Sequence, residues 1–233
     1  MPVHYILQIE TATQVCSVAL SADGETIAFQ DIDEPNVHAA RLTLMVEELL
    51  RTTNLSFKDL AAVAVGKGPG SYTGLRIGVS TAKGFCYATD LPLIGVDTLA
   101  GMAAGFIANY SLIAENVQLC PMVDARRMEV YAAVYDNWLR SITPPAATII
   151  DAQSFEFLEA DNRIILFGSG ADKLEALFAD NEQVEVVSQF KNSARHLSHL
   201  AYRAFRDSQF ADVAYFEPYY LKDFVATTAK QRS

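Results

Sequence analysis

The hydrophobic pattern opens with strands. Tyr5 to Glu10 is a short apolar run, Val15 to Leu20 a second and Thr26 to Asp31 a third, with Asp23-Gly24 as the hairpin turn before the last. After Pro35-Asn36 the period changes. From Val37 to Arg51, Leu42, Val46, Leu49 and Leu50 share one helical face, while Glu47, Glu48 and Arg51 lie elsewhere. Ala61 to Val65 is a continuous run of small apolar residues, the pattern of a strand buried on both faces. A glycine-rich stretch follows. Beyond it a helix is predicted from Thr73 or Gly74 to Ala88, then a strand over Leu91 to Val96, then a helix capped by Asp97 or Thr98.

The second half is less regular. Strands are predicted over Asn116 to Val123, Glu129 to Asp136, Ala146 to Ile150, Ile164 to Phe167 and Val184 to Val187. Helices are predicted over Asp151 to Leu158, Ala171 to Ala179 and Ser193 to Ser208, the last of them amphipathic. This loosely echoes the first half, but no sequence identity between the halves establishes a repeat. Antiparallel strands followed by β-α alternation predict an α/β fold of mixed sheets flanked by helices. A first lobe is placed at 1–105 and a smaller second lobe at 106–233, with the C-terminal tail packing back on the first. The polar residues after Glu217-Pro218-Tyr219-Tyr220-Leu221 are expected to fray.

Composition narrows the function. Half of the 233 residues are hydrophobic, enough for a full core, yet no window of about 18 apolar residues is free of charge, so no membrane span is expected. The N-terminus reaches Glu10 without a basic region and does not read as a signal peptide. Cys16, Cys86 and Cys120 are far apart, and no CxxC occurs; they read as reduced, buried thiols of a cytoplasmic protein. A net charge of −10 with no basic cluster beyond Arg126-Arg127 argues against strong direct binding to nucleic acid. A basic partner can still bring an acidic chain into an RNA pathway.

Several motifs carry two readings each. The loop from Gly66 to Gly74 sits between a buried strand and a helix. Gly68, Pro69, Gly70, Ser71 and Thr73 can form an anion cradle at the helix N-terminus, or the glycines can simply let two backbones pack. Neither the GxxxxGK[ST] nor the GxGxxG pattern is matched. Glu10 ends the first strand before Thr11 and Thr13; it can hold a water or a hydroxyl, while the threonines can satisfy a turn. His38 has Leu42 rather than a histidine four residues on. His196 and His199 share a helical face with no third ligand nearby and read as a surface or half-buried pair. Asp124 and Arg126 can form an ion pair that fixes a hairpin. Gly78, Ser80, Ala82 and Gly84 are small and permit close helix approach; neighbouring Leu75 and Val79 would form a sticky stripe if exposed. No catalytic triad pattern and no metal site is seen, and no cofactor is called for.

Gly68-Pro69-Gly70-Ser71-Tyr72-Thr73-Gly74-Leu75-Arg76-Ile77-Gly78 is similar to the GPGS[FY]TG[LV]RIG signature of the TsaB (YeaZ) family. Ile9-Glu10-Thr11-Ala12-Thr13 with Cys16-Ser17-Val18-Ala19-Leu20, Val96-Asp97-Thr98-Leu99, Val123-Asp124-Ala125-Arg126 with Glu129-Val130-Tyr131, and Glu217-Pro218-Tyr219-Tyr220-Leu221-Lys222 resemble further motifs of that family, in the same order. The resemblance implies the two-lobed actin, sugar-kinase and Hsp70-like (ASKHA) fold, with a degenerate second lobe. It also implies a catalytically inactive partner of the TsaD subunit, which adds threonylcarbamoyl to adenosine 37 of tRNAs reading ANN codons, with the TsaE ATPase joining. Family members dimerise and meet TsaD through two first-lobe helices. Carried over, this makes His38, Arg41, Leu42, Met45, Leu49, Leu75, Arg76, Val79 and Lys83 the expected partner-interface residues. The glycine loop then becomes the turn that launches an interface helix, with ligand binding at a subunit junction as the alternative. Two departures stand out: Glu10 replaces an aspartate, and Arg127-Met128 replaces a common Met-Gly. The rival functions are a phosphotransferase of the same fold and a metal-dependent peptidase-like hydrolase.

Overall fold

The structure, a computed structural model, describes residues 2–110, 114, 116–159 and 161–222. The frayed end expected beyond 222 lies outside them. Three strands, β1 (Tyr5–Glu10), β2 (Val15–Ala22) and β3 (Glu25–Asp33), form an antiparallel meander. Asp23 and Gly24 both take positive φ, the geometry a two-residue hairpin needs to match the strands' right-handed twist. Then come α1 (His38–Thr52), β4 (Leu60–Gly66), α2 (Tyr72–Thr89), β5 (Leu93–Val96) and α3 (Thr98–Asn109). Asp97 caps α3 by accepting from the Ala100 N–H. The first sheet has the order β3-β2-β1-β4-β5, with β1, β4 and β5 parallel.

The second sheet repeats that plan. Strands β6 (Val117–Asp124), β7 (Glu129–Tyr135) and β8 (Ser141–Ile149) form the meander; β9 (Arg163–Phe167) and β10 (Val184–Val187) add in parallel on the other side of β6. Its order, β8-β7-β6-β9-β10, corresponds strand for strand to the first. The helices do not repeat. The helix predicted over 151–158 is a series of tight turns, because Asp151 and Ser154 bond each other's backbone and side chain and the Glu156 and Leu158 amides reach only three residues back. The helix predicted over 171–179 is a 3-10 segment, Asp172–Leu177, and the one over 193–208 divides into a 3-10 turn at Ala194–Leu197 and α4 (Ser198–Arg206). Strand β8 begins at Ser141 and tolerates Pro144-Pro145 because it is an outer strand and because the pairing with β7 shifts register there, from Thr143 opposite Val134 to Ala146 opposite Ala132.

Apolar faces decide the layering. Leu42, Met45, Val46 and Leu49 of α1 join Val79, Ala82 and Cys86 of α2 on one face of the first sheet, against Leu7, Ile9, Val18 and Val63. Leu197, which ends the 3-10 turn, and Ala201 of α4 cover the other face over Ile6, Ala62, Ala64 and Ile94. Leu99, Met102 and Phe106 of α3 pack instead on the second sheet, against Leu119, Val123 and Phe167. Residue 105, where the lobes divide in the sequence reading, falls inside α3. Among the described residues no helix is long and apolar enough to cross a membrane.

Candidate functional site

The glycine loop is set by what lies against it. Strand β1 ends at Glu10, and the turn that follows lies across the loop and the first turns of α2. A Cβ on Gly66 would stand 2.2 Å from the Glu10 carboxylate. On Gly70 it would meet the Ala12 carbonyl at 2.3 Å, on Gly74 the Thr11 carbonyl at 2.1 Å, and on Gly78 the Thr11 hydroxyl at 2.2 Å. Glycine is therefore required at Gly70 and Gly74 by close approach of backbone to backbone, and at Gly66 and Gly78 by the buried Glu10 and Thr11 side chains. Amides of the loop are committed inside the fold. Lys67 N–H donates to Val96 O, Gly68 N–H to Thr98 Oγ1, Ser71 N–H to Ala12 O, and Gly74 N–H to Ser71 Oγ, which caps α2. Helix α2 consequently begins at Tyr72, a residue before the predicted start.

Glu10 itself is a structural brace. Its Oε1 accepts from the N–H groups of Thr11 and Ala12 at 2.8 Å each, and its Oε2 accepts from Thr98 Oγ1 at 3.1 Å. Burial raises its pKa, and the Ala12 backbone amide, the side chains of Thr98 and Asn192 and the Thr11 backbone amide pull against that rise. The turn amides are thus held by the acid; of the threonines, Thr13 Oγ1 accepts from Val15 N–H, while Thr11 Oγ1 has no partner among the described residues.

The residues of the expected interface divide by burial. Leu42, Met45, Leu49, Leu75 and Val79 are 3% exposed or less, and His38 is 8% exposed; all are buried in this chain's own fold. They are unavailable to a partner because the apolar stripe of each helix is spent on the first sheet. Arg41 and Arg76 are exposed and Lys83 half-buried. The open side of α2 is instead Thr73, Arg76, Ser80, Gly84 and Tyr87, spaced by three or four residues, and α1 adds the exposed Leu44. A Cβ on Gly84 would meet nothing within 4 Å. Ser80, Gly84, Tyr87 and Leu44 are exposed and lie outside the set expected from the sequence. The pattern itself points to them, because they lie opposite the apolar stripe that packs on the first sheet.

A C-terminal strap crosses the same region. Ala211 N–H bonds Leu93 O, the Phe216 ring lies against Gly95, and Tyr219 N–H bonds Lys67 O beside the glycine loop. Lys83 Nζ, on α2, donates to the carbonyls of Ala214 and Phe216. Arg76 lies 4.3 Å over the Tyr72 ring and donates to Tyr220 Oη. Lys222 then reaches Glu129 on β7.

Two other groups differ from expectation. Asp124 bonds Lys173 Nζ at 2.5 Å rather than the Arg126 guanidinium, and Lys173 also donates to the carbonyls of Arg127 and Glu129. Arg126 and Arg127 both hold positive φ, so the turn keeps without a glycine a conformation that costs other residues more. His196 and His199 do not form a pair. His199 is exposed, while His196 is buried against Gly105, its ring 5.3 Å from that of Phe190 and both its nitrogens without partners among the described residues. Burial, helped by the Arg195 charge, lowers its pKa to about 4. Cys16, Cys86 and Cys120 are buried free thiols, and among the described residues no three His, Cys, Asp or Glu side chains converge.

The family model for TsaD, tRNA N6-adenosine threonylcarbamoyltransferase, matches residues 35–230. The chain is 42% identical over 132 residues to the tRNA threonylcarbamoyladenosine biosynthesis protein TsaB of Escherichia coli, covering 57% of this chain and 55% of that protein, so the match spans about half the relative's length. TsaB of Bacillus subtilis is 34% identical over 70% of this chain and 69% of its own. A Pseudomonas aeruginosa protein described as similar to the peptidase YeaZ superposes with a TM-score of 0.82 at 26% identity, covering 94% of this chain and all of that one. The activator of 2-hydroxyisocaproyl-CoA dehydratase from Clostridium difficile, at a TM-score of 0.53 and 11% identity over 88% of this chain and 97% of its own, shares the two-lobed ASKHA fold alone. With the ordered motifs, the duplicated sheet and these matches together, the chain belongs to the TsaB family.

Proposed function

We propose that the chain is a non-catalytic, cytoplasmic subunit of the machinery that adds threonylcarbamoyl to adenosine 37 of tRNAs reading ANN codons. It supports a TsaD-like catalytic subunit, with a TsaE-like ATPase joining the assembly. The family matches support the pathway. One structural observation carries the subunit role. The glycine loop is packed shut by the chain's own β1–β2 turn, while the helix it launches leaves the small residues Ser80 and Gly84 exposed on its open side. That side, with Arg41, Leu44 and Arg76, is the surface assigned to the TsaD-like partner; a homodimer would use the same surface in competition.

Co-purification with a TsaD-like subunit tests this. Ser80→Arg and Gly84→Arg put long side chains on the open side and are expected to lower the association by about tenfold or more, since one displaced close contact of about 1.4 kcal/mol is a factor of ten. Their melting temperatures should stay near that of the parent chain. Leu42→Glu and Val79→Glu are unsuitable, because each buries a charge in the first core. If both arginine variants bind as well as the parent, the surface assignment is wrong.

A further inference from the structure

Among the described residues the chain crosses between the two sheets twice. Helix α3 makes the first crossing, and the segment 188–193, between β10 and the 3-10 turn at Ala194–Leu197, makes the second. Two lobes that close on a ligand need a hinge, a few residues free to absorb a change in φ and ψ. The second crossing is the place for one, because it is a short loop, yet it has no free length. Its first half is fixed to the second lobe. Ser188 Oγ donates to Glu175 at 2.8 Å, Gln189 N–H donates to Asp172 at 2.9 Å with Gln189 at a φ of 63°, and the Phe190 ring stands edge-on to that of Phe167, 4.9 Å between centres. From the next residue the loop is fixed to the first lobe. Lys191 Nζ donates to Asp33 at 2.5 Å, Ser193 Oγ to Asp31 at 2.9 Å, and Ala194 N–H to Ser17 Oγ at 2.7 Å. Ser17 Oγ in turn donates to the same Asp31 oxygen at 2.5 Å, and Ser17, Asn192 and Ser193 are all buried.

The two crossings also press on each other. A Cβ on Gly101 of α3 would stand 2.4 Å from the Leu197 side chain, and one on Gly105 would stand 2.3 Å from the His196 ring. At its first turn α3 is held to the first lobe, where Thr98 Oγ1 accepts from Gly68 N–H and donates to Glu10. Farther along, its Leu99, Met102 and Phe106 pack on the second sheet. A helix anchored in both lobes and pressed against a loop anchored in both leaves no joint between them. We propose that the segment 188–194 is a latch that holds the two lobes as one rigid body, so that the chain meets its partners with a fixed shape and does not close on a ligand between its lobes. A phosphotransferase of this fold would depend on such closure to exclude water, so the latch speaks against that rival function. A rigid chain also gives up little internal freedom when it binds, whichever surface the partner takes.

Spin labels at Lys58→Cys in the first lobe and Glu182→Cys in the second, both exposed positions, read the distance between the lobes; the three native thiols are buried and resist labelling. A pair at Lys58→Cys and Asp207→Cys, within the first lobe, is the rigid standard. The expected result is a single interlobe distance with a spread like the standard's, unmoved by ATP with magnesium. Asp31→Ala removes the acceptor that Ser17 and Ser193 share. It should speed amide exchange at Ala194 by about tenfold and add a second interlobe distance, with β1 and β4 near their parent exchange rates. A parent distribution wider than the standard, or one that shifts with ATP and magnesium, overturns the proposal. An Asp31→Ala chain that keeps a single interlobe distance overturns it as well, whether or not exchange at Ala194 quickens, because α3 alone would then fix the lobes.

Discussion

His196 shows how a residue's meaning depends on contacts the local sequence does not contain. Its spacing to His199 suggests a shared helical face, but the chain changes from a 3-10 turn to α4 between them. The ring enters a space that exists because residue 105 is glycine: a Cβ there would lie 2.3 Å from it. Nothing near position 196 in the sequence announces Gly105. The consequence is a stability term with a definite sign. The native pKa is near 4 against an ordinary 6.5, so the unfolded chain takes up a proton first as pH falls. The stability from keeping this ring neutral is complete above 6.5 and is lost as pH drops toward 4. His196→Phe keeps an aromatic ring beside Phe190 and removes two unpartnered nitrogens. Relative to the parent, the variant should gain roughly 2–3 kcal/mol between pH 7 and pH 4.5, read from urea midpoints at the two values. An unchanged difference between the proteins across that range would refute the assignment.

At the scale of elements, the periodic segments were readable and their surroundings were not. The β1–β3 meander, the amphipathic α1 and the buried run of β4 follow from residue order, because each is specified by its own pattern. The loop before α2 is visibly a tight turn as well, yet the β1–β2 turn that fills the space against it comes from far upstream. The same limit holds for Leu42 and Val79: periodicity shows which face is apolar but not whether a sheet or a partner covers it. Two alanine substitutions in α2 separate the kinds of glycine involved. Gly84→Ala enters open space in an exposed helix interior and should stabilise by about 0.8–1 kcal/mol. Gly74→Ala forces a methyl to 2.1 Å from the Thr11 carbonyl and should destabilise by about 1–3 kcal/mol despite the same gain in helix propensity. Denaturant midpoints of the two variants decide this; equal shifts would mean that the turn yields and that close packing does not hold the glycine in place.

Over the whole molecule, the duplicated strand order was only a loose echo in the sequence because topology is kept while residues and helices are not. Helix α3 leaves the first sheet to cover the second, and α4 returns to cover the first, so the two sheets are tied together by exchanged helices. The strap lies mainly on the first lobe. It leaves α4, runs along β5 and α2 and reaches Glu129 of the second sheet through Lys222. Its aromatic side chains carry no period and its anchors, Lys83 and Gly95, are distant in sequence, which is why its path was not readable beyond a tail returning to the first lobe. Phe216→Ala removes the ring that packs on Gly95 and leaves Lys83 with a looser carbonyl partner. Phe216 is only partly buried, so the expected loss is about 2 kcal/mol, below the range for a fully buried ring. The location of that loss matters more than its size. Amide exchange should quicken first in β5, the glycine loop and the start of α2, with β6, β9 and β10 close to their parent rates. Local opening of this kind lies below the global unfolding free energy and is resolved residue by residue. A uniform acceleration across both sheets would instead show that the strap holds the two lobes together rather than clamping the first.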